Sequence, residues 1–365
     1  MSDTLAVQPA EAQDALARIR EDPGFCRFRT DHCVVVEWDE QAGWSRRPAG
    51  PHDTIEMDPA SLVFHYGQAV FEGLKAFRQP DGSAALFRPA DHARRLRHSA
   101  RRLAMAEMPA DLFVAACADL VAADDDWLPG GTGQSLYLRP ILFATETELA
   151  LRPSRRYRAT FMAYPADPVF GRDFRPLSVM VGRHWVRAVR GGTGESKCAG
   201  NYAASLLAKQ EAIASGYDEV LWLDAADRRW VEELSTMNAF FVWRTEDGGL
   251  AITTPPCQGT IVHGITRACL LTLARDLGLA AGEEPTDIDT ALSAARSGGL
   301  TEMFACGTAG VVVPVGRLGA DGQDLIIGDG TEGPVTALLR RTLLNAQHGV
   351  DPDAHGWLTA VGRRR

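Results

Sequence analysis

Lysine occurs at only three positions of this 365-residue chain, 75, 197 and 209, and arginine supplies the other 35 of its 38 basic residues. Bulk positive charge does not require lysine. A nucleophilic amine does, because a guanidinium is effectively never deprotonated. Lys197 stands in GGTGESKCAGNY (191–202), where a glycine-rich loop delivers the amine to the start of an amphipathic helix and lets backbone approach a ligand closely. A nucleotide P-loop needs Gly directly before its Lys and Ser or Thr after it. Ser196 and Cys198 flank Lys197, so that reading fails. Lys75, in FEGLKAF, is the second candidate amine, half-buried on a strand, whereas Lys209 lies on a solvated helix face.

For such an amine to serve pyridoxal phosphate, three further groups are needed: an acid for the pyridine nitrogen, a phosphate cup and a holder for the substrate carboxylate. Glu233, in VEELSTMN, places a carboxylate at the end of a strand, either as that acid or as an ordinary solvated side chain. Residues 264–267 (GITR) open the helix GITRACLLTLARDLG, whose first amides either bind phosphate or are simply capped. Arg95, in the basic run RRLRHSARR, either reaches an anion or belongs to a solvated face.

The elements that must position these residues read as two domains, since 365 residues exceed one comfortable core. Strands are expected at 33–38, 61–65, 135–144 and 157–164, with a hairpin of 69–78 and 84–88 turning at Asp81-Gly82. Helices are expected at 90–105 and 109–123. The stretch 165–176 (PADPVFGRDFRP) has three prolines and no helical period. It divides a first domain, 1–165, from a second, 177–365, that carries Lys197, with 166–176 as linker. The second half holds short strands at 178–182, 218–223, 229–234, 239–243, 249–253, 300–305 and 309–315, and helices at 202–215, 265–277, 287–296 and 334–346. Strands joined mostly by short turns point to the α+β class, with a barrel-like second domain.

Composition removes several function classes. A net charge of −9 argues against nucleic-acid and anionic-membrane partners, which select basic faces. No apolar run approaches the roughly 18 residues that span a bilayer. The N-terminus is acidic and lacks a basic segment followed by an apolar one, so the cytoplasm is the expected location. Seven cysteines form no CxxC pair and nine histidines include no HExxH, so no metal site is expected.

Seven blocks in order, FHYGQAVFEGLKAFR (64–78), LFRPADHARRLRHSARRLAMAEMP (86–109), YLRPILFATETEL (137–149), GGTGESKCAGNYAASLLA (191–208), VEELSTMNAFFV (231–242), GITRACLLTLARDLG (264–278) and CGTAG (306–310), resemble the branched-chain aminotransferases. The resemblance runs from about Phe25 to the last helix and implies PLP fold type IV, with a small α/β N-terminal domain, a larger barrel-like α/β C-terminal one and pyridoxal 5'-phosphate between them. It implies transamination between a branched-chain L-amino acid and α-ketoglutarate, giving the keto acid and L-glutamate. Carried over by motif, Lys197 binds the cofactor covalently and shuttles the substrate proton, Tyr202 hydrogen-bonds the phenolic oxygen, and Glu233 pairs with the ring nitrogen. Arg95, the amides of Ile265 and Thr266, and Thr308 are implied as the phosphate cup. Tyr66, with the amides of Thr308 and Ala309, is implied to hold the α-carboxylate. Phe25, Phe71, Tyr137 and Arg139 are implied to line the side-chain pocket, with Val169 and Thr236 also at the substrate. Leu149 and Leu151 are implied to reach in from a partner subunit, which makes a homodimer the functional unit.

The sequence departs from the family pattern at Val169, where many relatives carry an aromatic, at Ser235, which replaces a common glycine, and in GFCRFRTDH (24–32). These departures touch the choice of substrate rather than the chemistry. The rival readings are a lyase or D-amino-acid aminotransferase on the same fold, and a ligand-binding protein that keeps only the fold. Retention of Lys197 and Glu233 in a lysine-poor chain speaks against the last.

Overall fold

The structure, a computed structural model, describes residues 13–52, 54–171 and 175–362. In chain order the elements are α1 (Gln13–Glu21), β1 (His32–Asp39), β2 (Gly43–Arg46), β3 (Gly50–Pro51), α2 (Leu62–Tyr66), β4 (Ala69–Phe71), β5 (Leu74–Arg78), β6 (Ala84–Phe87), α3 (Pro89–Arg102), α4 (Ala110–Ala123), β7 (Ser135–Ala144) and β8 (Arg156–Ala166). They continue with β9 (Leu177–Gly182), α5 (Ala199–Ala203), α6 (Leu206–Ala214), β10 (Glu219–Leu223), β11 (Val231–Leu234), β12 (Asn238–Arg244), β13 (Leu250–Thr254) and α7 (Ile265–Asp276). The last are β14 (Ala280–Glu283), α8 (Ile288–Ser297), β15 (Leu300–Gly307), β16 (Val311–Ala320), β17 (Gln323–Ile326), α9 (Pro334–Gln347) and β18 (Leu358–Val361).

Two compact units result. One takes the chain through Arg172, the segment Ser196–Ala199 and the tail from Leu344; the other takes Asp173–Glu195 and Gly200–Leu343. This division differs from the expected one, because the Lys197 segment and the tail go with the first unit, which then holds more of the chain than the second. Long-range backbone pairing is the reason. Cys198 bridges Val70, Phe71 N donates to Lys197 O at 3.0 Å, and β18 adds antiparallel to β6. Part of the expected linker, 172–174, lies outside the described residues.

The first unit is built on a sheet of order β18-β6-β5-β7-β8-β1-β2, with β3 on β1 and β4 on β7. Strand alternation sorts its side chains. Leu136, Leu138 and Leu142 of β7 and Leu74 and Ala76 of β5 enter a core with Leu96, Phe113, Leu120 and Phe161. Tyr137, Arg139 and Lys75 therefore take the opposite face. The strand expected at 61–65 is instead the short helix α2, closed by Gly67 in the left-handed region at φ 60°. Ser61 makes an isolated bridge to Thr147, but the pairing goes no further and Phe64 is 61% exposed. The strand expected over 69–78 breaks at Glu72-Gly73, where Gly73 lies so close to the Tyr137 ring that a Cβ would overlap the phenol.

The second unit has the strand order β11-β10-β9-β16-β15-β12-β13-β14, with β17 on β16. Because β11 also pairs β12, the path from β11 through β12 closes on itself as a barrel. That closing contact is the register pair Glu233↔Asn238. On the neighbouring strands β12 and β15 the buried Phe240 and Phe304, partners in register, stack at 4.9 Å. The helix expected over 202–215 is two pieces, α5 and α6, and residues 280–283 and 323–326 add strands that the sequence reading did not include. Among the described residues no helix is long and apolar enough to cross a membrane.

Candidate active site

In the first unit the Lys197 backbone is fixed at both polar atoms. Its N–H donates to Ser99 Oγ at 2.8 Å and its carbonyl accepts from Phe71 N. The ammonium Nζ lies 4.8 Å from the Phe71 ring centroid, and the Arg139 guanidinium lies 5.0 Å from the same centroid. Arg139 Nη2 donates to Tyr137 Oη at 3.0 Å, and Phe25 meets the Tyr137 ring edge-on at 5.4 Å. The register sets Tyr137 opposite Tyr164 and Arg139 opposite Met162, with both side chains on one face of β7. Lys197, Phe25, Phe71, Tyr137 and Arg139 thus form one cluster of cations and aromatic rings.

Beside it, α3 presents His92, Arg95 and Ser99 at helical spacing. Arg95 donates from Nε and Nη2 to Glu72 at 2.6 and 2.8 Å, and His92 Nδ1 lies 2.8 Å from Glu72 Oε2. Burial opposes ionisation of Glu72, but Arg95 and His92 outweigh it and hold the carboxyl well below the usual carboxylate range. Burial likewise lowers the Lys75 ammonium to about 8, with Cys26 acting weakly the other way. Lys75 pairs Tyr137 in register and is 2% exposed, so the sequence's second amine is deeply buried rather than half-buried.

Tyr66 is 38% exposed at the end of α2, and its hydroxyl donates to Leu149 O at 3.3 Å. Leu149 and Leu151 are themselves exposed, as is Val169.

In the second unit Glu233 is buried on β11. Arg187 Nη2 lies 2.9 Å from Glu233 Oε1, and Asn238 Nδ2 donates to Glu233 Oε2 at 3.1 Å. Asn238 Nδ2 also donates to Val262 O at 3.2 Å, just before α7. Gly264, the N-cap of α7, packs against the Asn238 amide so closely that a Cβ would overlap it. One asparagine therefore links the carboxylate to the helix start that carries Ile265 and Thr266, both buried. Thr308 and Ala309 are half-buried in the turn between β15 and β16. That turn sits beside Thr236, since a Cβ at Gly307 would lie 3.5 Å from Thr236 O. Thr236 is exposed, and Tyr202 is half-buried on α5.

Sequence reasoning missed Glu72, His92, Arg187 and Asn238. Glu72 lies inside the FEGLKAF block, and His92 is three residues before Arg95, so spacing held a signal for both. Arg187 had none, being one arginine among 35.

The family model for amino-transferase class IV matches residues 69–318. The chain is 46% identical over 358 residues to a branched-chain-amino-acid aminotransferase of Mycobacterium tuberculosis H37Rv, covering 98% of this chain and 97% of that protein. It belongs to the branched-chain class IV aminotransferases. A probable branched-chain-amino-acid aminotransferase of Streptomyces coelicolor is 47% identical to this aminotransferase over 343 residues, 94% of this chain and 93% of that protein. The solved branched-chain amino acid aminotransferase of Escherichia coli matches it with a TM-score of 0.73 and 26% identity over 90% of this chain and 99% of that one. A second solved branched-chain amino acid aminotransferase, complexed with N-(5'-phosphopyridoxyl)-L-glutamate, matches with a TM-score of 0.72 and 29% identity over 90% of this chain and 98% of that one. The α+β fold of type IV, with its closed second sheet, is the one expected from the signature blocks.

Proposed function

We propose that this aminotransferase exchanges amino groups between branched-chain L-amino acids and α-ketoglutarate, using pyridoxal 5'-phosphate carried on Lys197. The observation that carries the reading is the Lys197 amine, anchored by Ser99 and Phe71 and set against the Phe71 ring beside Arg139. Each unit by itself carries groups of the kinds the cofactor needs, an amine and an arginine in the first, and a paired carboxylate and a helix start in the second.

When bound, pyridoxal phosphate supplies a carbonyl and an electron-withdrawing ring. Lys197 would bind it and would take and return the proton at the substrate Cα. Glu233 keeps the ring nitrogen protonated. Tyr202 donates to the phenolic oxygen, and Arg95, the amides of Ile265 and Thr266, and Thr308 hold the phosphate. The amides of Thr308 and Ala309 take the α-carboxylate, with Thr236 in the neighbouring turn. Phe25, Phe71 and Tyr137 receive an apolar branched side chain, with Val169 at its edge, and Arg139 receives the γ-carboxylate of glutamate.

Tyr66 and Leu149 are bonded within one chain. If Leu149 and Leu151 complete the site of a second copy, Tyr66 goes with them, and the exposed patch of Phe64, Tyr66, Leu149 and Leu151 is the surface a homodimer covers.

The purified protein should show a visible absorption band that borohydride abolishes, together with turnover of leucine, isoleucine or valine against α-ketoglutarate. A colourless protein that no added cofactor activates overturns the reading.

A further inference from the structure

Arg187 lies outside the signature blocks, yet it makes three contacts, each to a different part of the cofactor machinery. Its Nη2 pairs with Glu233 Oε1 at 2.9 Å. It also donates to the carbonyl of Gly194, three residues before Lys197, at 3.0 Å, and to the carbonyl of Thr260, in the segment leading to α7. The two side chains of the ion pair are 3% and 5% exposed. Desolvation of this depth strengthens a paired charge and makes an unpaired one costly. The neighbouring Glu232 shows the alternative: burial pushes its carboxyl up, with a hydrogen bond from Thr260 and the charge of Arg187 opposing only in part.

We infer that Arg187 is a positioning residue that keeps the Glu233 carboxylate negative and aimed, and ties that carboxylate to the backbone at Gly194 and to the approach to α7. Arg187 and Asn238 each engage a different Glu233 oxygen, which fixes the plane of the carboxylate. All three contacts fall on the one terminal nitrogen Nη2, and a guanidinium keeps its charge at a depth where a buried ammonium readily loses it. The inference rests on the proposed role of Glu233 at the ring nitrogen.

The test compares holoenzymes of wild type, Arg187→Lys, Arg187→Met and Glu233→Gln, and the double variants. Cofactor affinity is read by titrating each apoprotein with pyridoxal phosphate, and the visible band is titrated with pH. Arg187→Met should lower kcat about 10- to 100-fold with a smaller change in KM. It should also move the pH midpoint of the band upward, because a less electron-withdrawing ring leaves the group on Lys197 more basic. Arg187→Lys should restore part of both. In the Glu233→Gln background, neither substitution at 187 should lower kcat further by more than about twofold, since the two residues act as one. A folded Arg187→Met with unchanged band midpoint and kcat, or losses that multiply with those of Glu233→Gln, overturns the inference. Should Arg187→Met fail to fold, the cycle of Arg187→Lys with Glu233→Gln decides by the same criterion. A wild-type protein with no borohydride-sensitive band overturns the proposed function, and this inference with it; a normal wild-type band with an inert position 187 overturns the inference alone.

Discussion

Glu72 grips one edge of the Arg95 guanidinium, Nε to Oε1 at 2.6 Å and Nη2 to Oε2 at 2.8 Å, with no exposure of its own side chain. The cation proposed for the phosphate thus comes with a built-in counter-ion, further supported by His92. Glu72→Gln removes one partner of a buried pair and should destabilise the protein by about 3–5 kcal/mol, measured by urea unfolding. The folded carboxyl is held below its ordinary 4.5, so its contribution is present above that pH and is lost as pH falls through the depressed value. The variant's stability should therefore fall less steeply than wild type below about pH 4.5. A steeper acid limb in the variant would contradict the assignment.

Lys197→Ala should leave a folded protein with no borohydride-sensitive band and essentially no transaminase turnover. Lys75→Ala should keep the band. A reversed pattern would move the reactive amine to Lys75.

Arg139 stands over two aromatic rings and donates to Tyr137 Oη, so on the proposed function it is the guanidinium that offers a γ-carboxylate its charge among those rings. Arg139→Met should slow the glutamate half-reaction at least tenfold more than the leucine half-reaction, in single-turnover measurements with each donor. Equal damage to both would return Arg139 to the scaffold.

Lys75 carries a stability cost that depends on pH in a calculable direction. Its ammonium is lowered by burial from 10.5 to about 8, so between those values the unfolded chain binds more protons than the folded one, and stability rises with pH. Below about pH 8 the cost is on the order of 3 kcal/mol. Lys75→Met should accordingly be more stable than wild type at pH 7, with the advantage shrinking to nothing near pH 10.5. A constant difference across that range would show that the amine is not titrating there.

Strong periodicity was readable, and short or long-range structure was not. The run SLYLRPILFA alternates clearly, and β7 occupies Ser135–Ala144 as expected. The segment SLVFH alternates nearly as well, but after the single bridge of Ser61 to Thr147 it turns into a short helix closed by Gly67, which no local pattern records. Membership of the Lys197 segment in the first unit depends on pairing with Val70, and that of the tail on pairing with β6; both are contacts between distant parts of the chain. Site residues that belong to motifs could be named in advance. Their partners could not, because Glu72 meets Arg95 across a sequence separation of 23, and nothing in an arginine-rich chain marks which guanidinium is buried.

The second sheet closes at Glu233 and Asn238, the same two residues whose side chains meet at 3.1 Å. The clasp of the barrel and the seat of the carboxylate are a single fastening. A strand slip of one residue there would turn the Glu233 side chain to the opposite face as it opened the ring. On the role proposed for Glu233, a misassembled barrel would be silent rather than a faulty catalyst, and a ligand that engages Glu233 would pull the fastening tight. Amide exchange at Leu234, whose N–H donates to Met237 O at 2.8 Å beside the clasp, would then slow on cofactor addition more than exchange at the far strand β14.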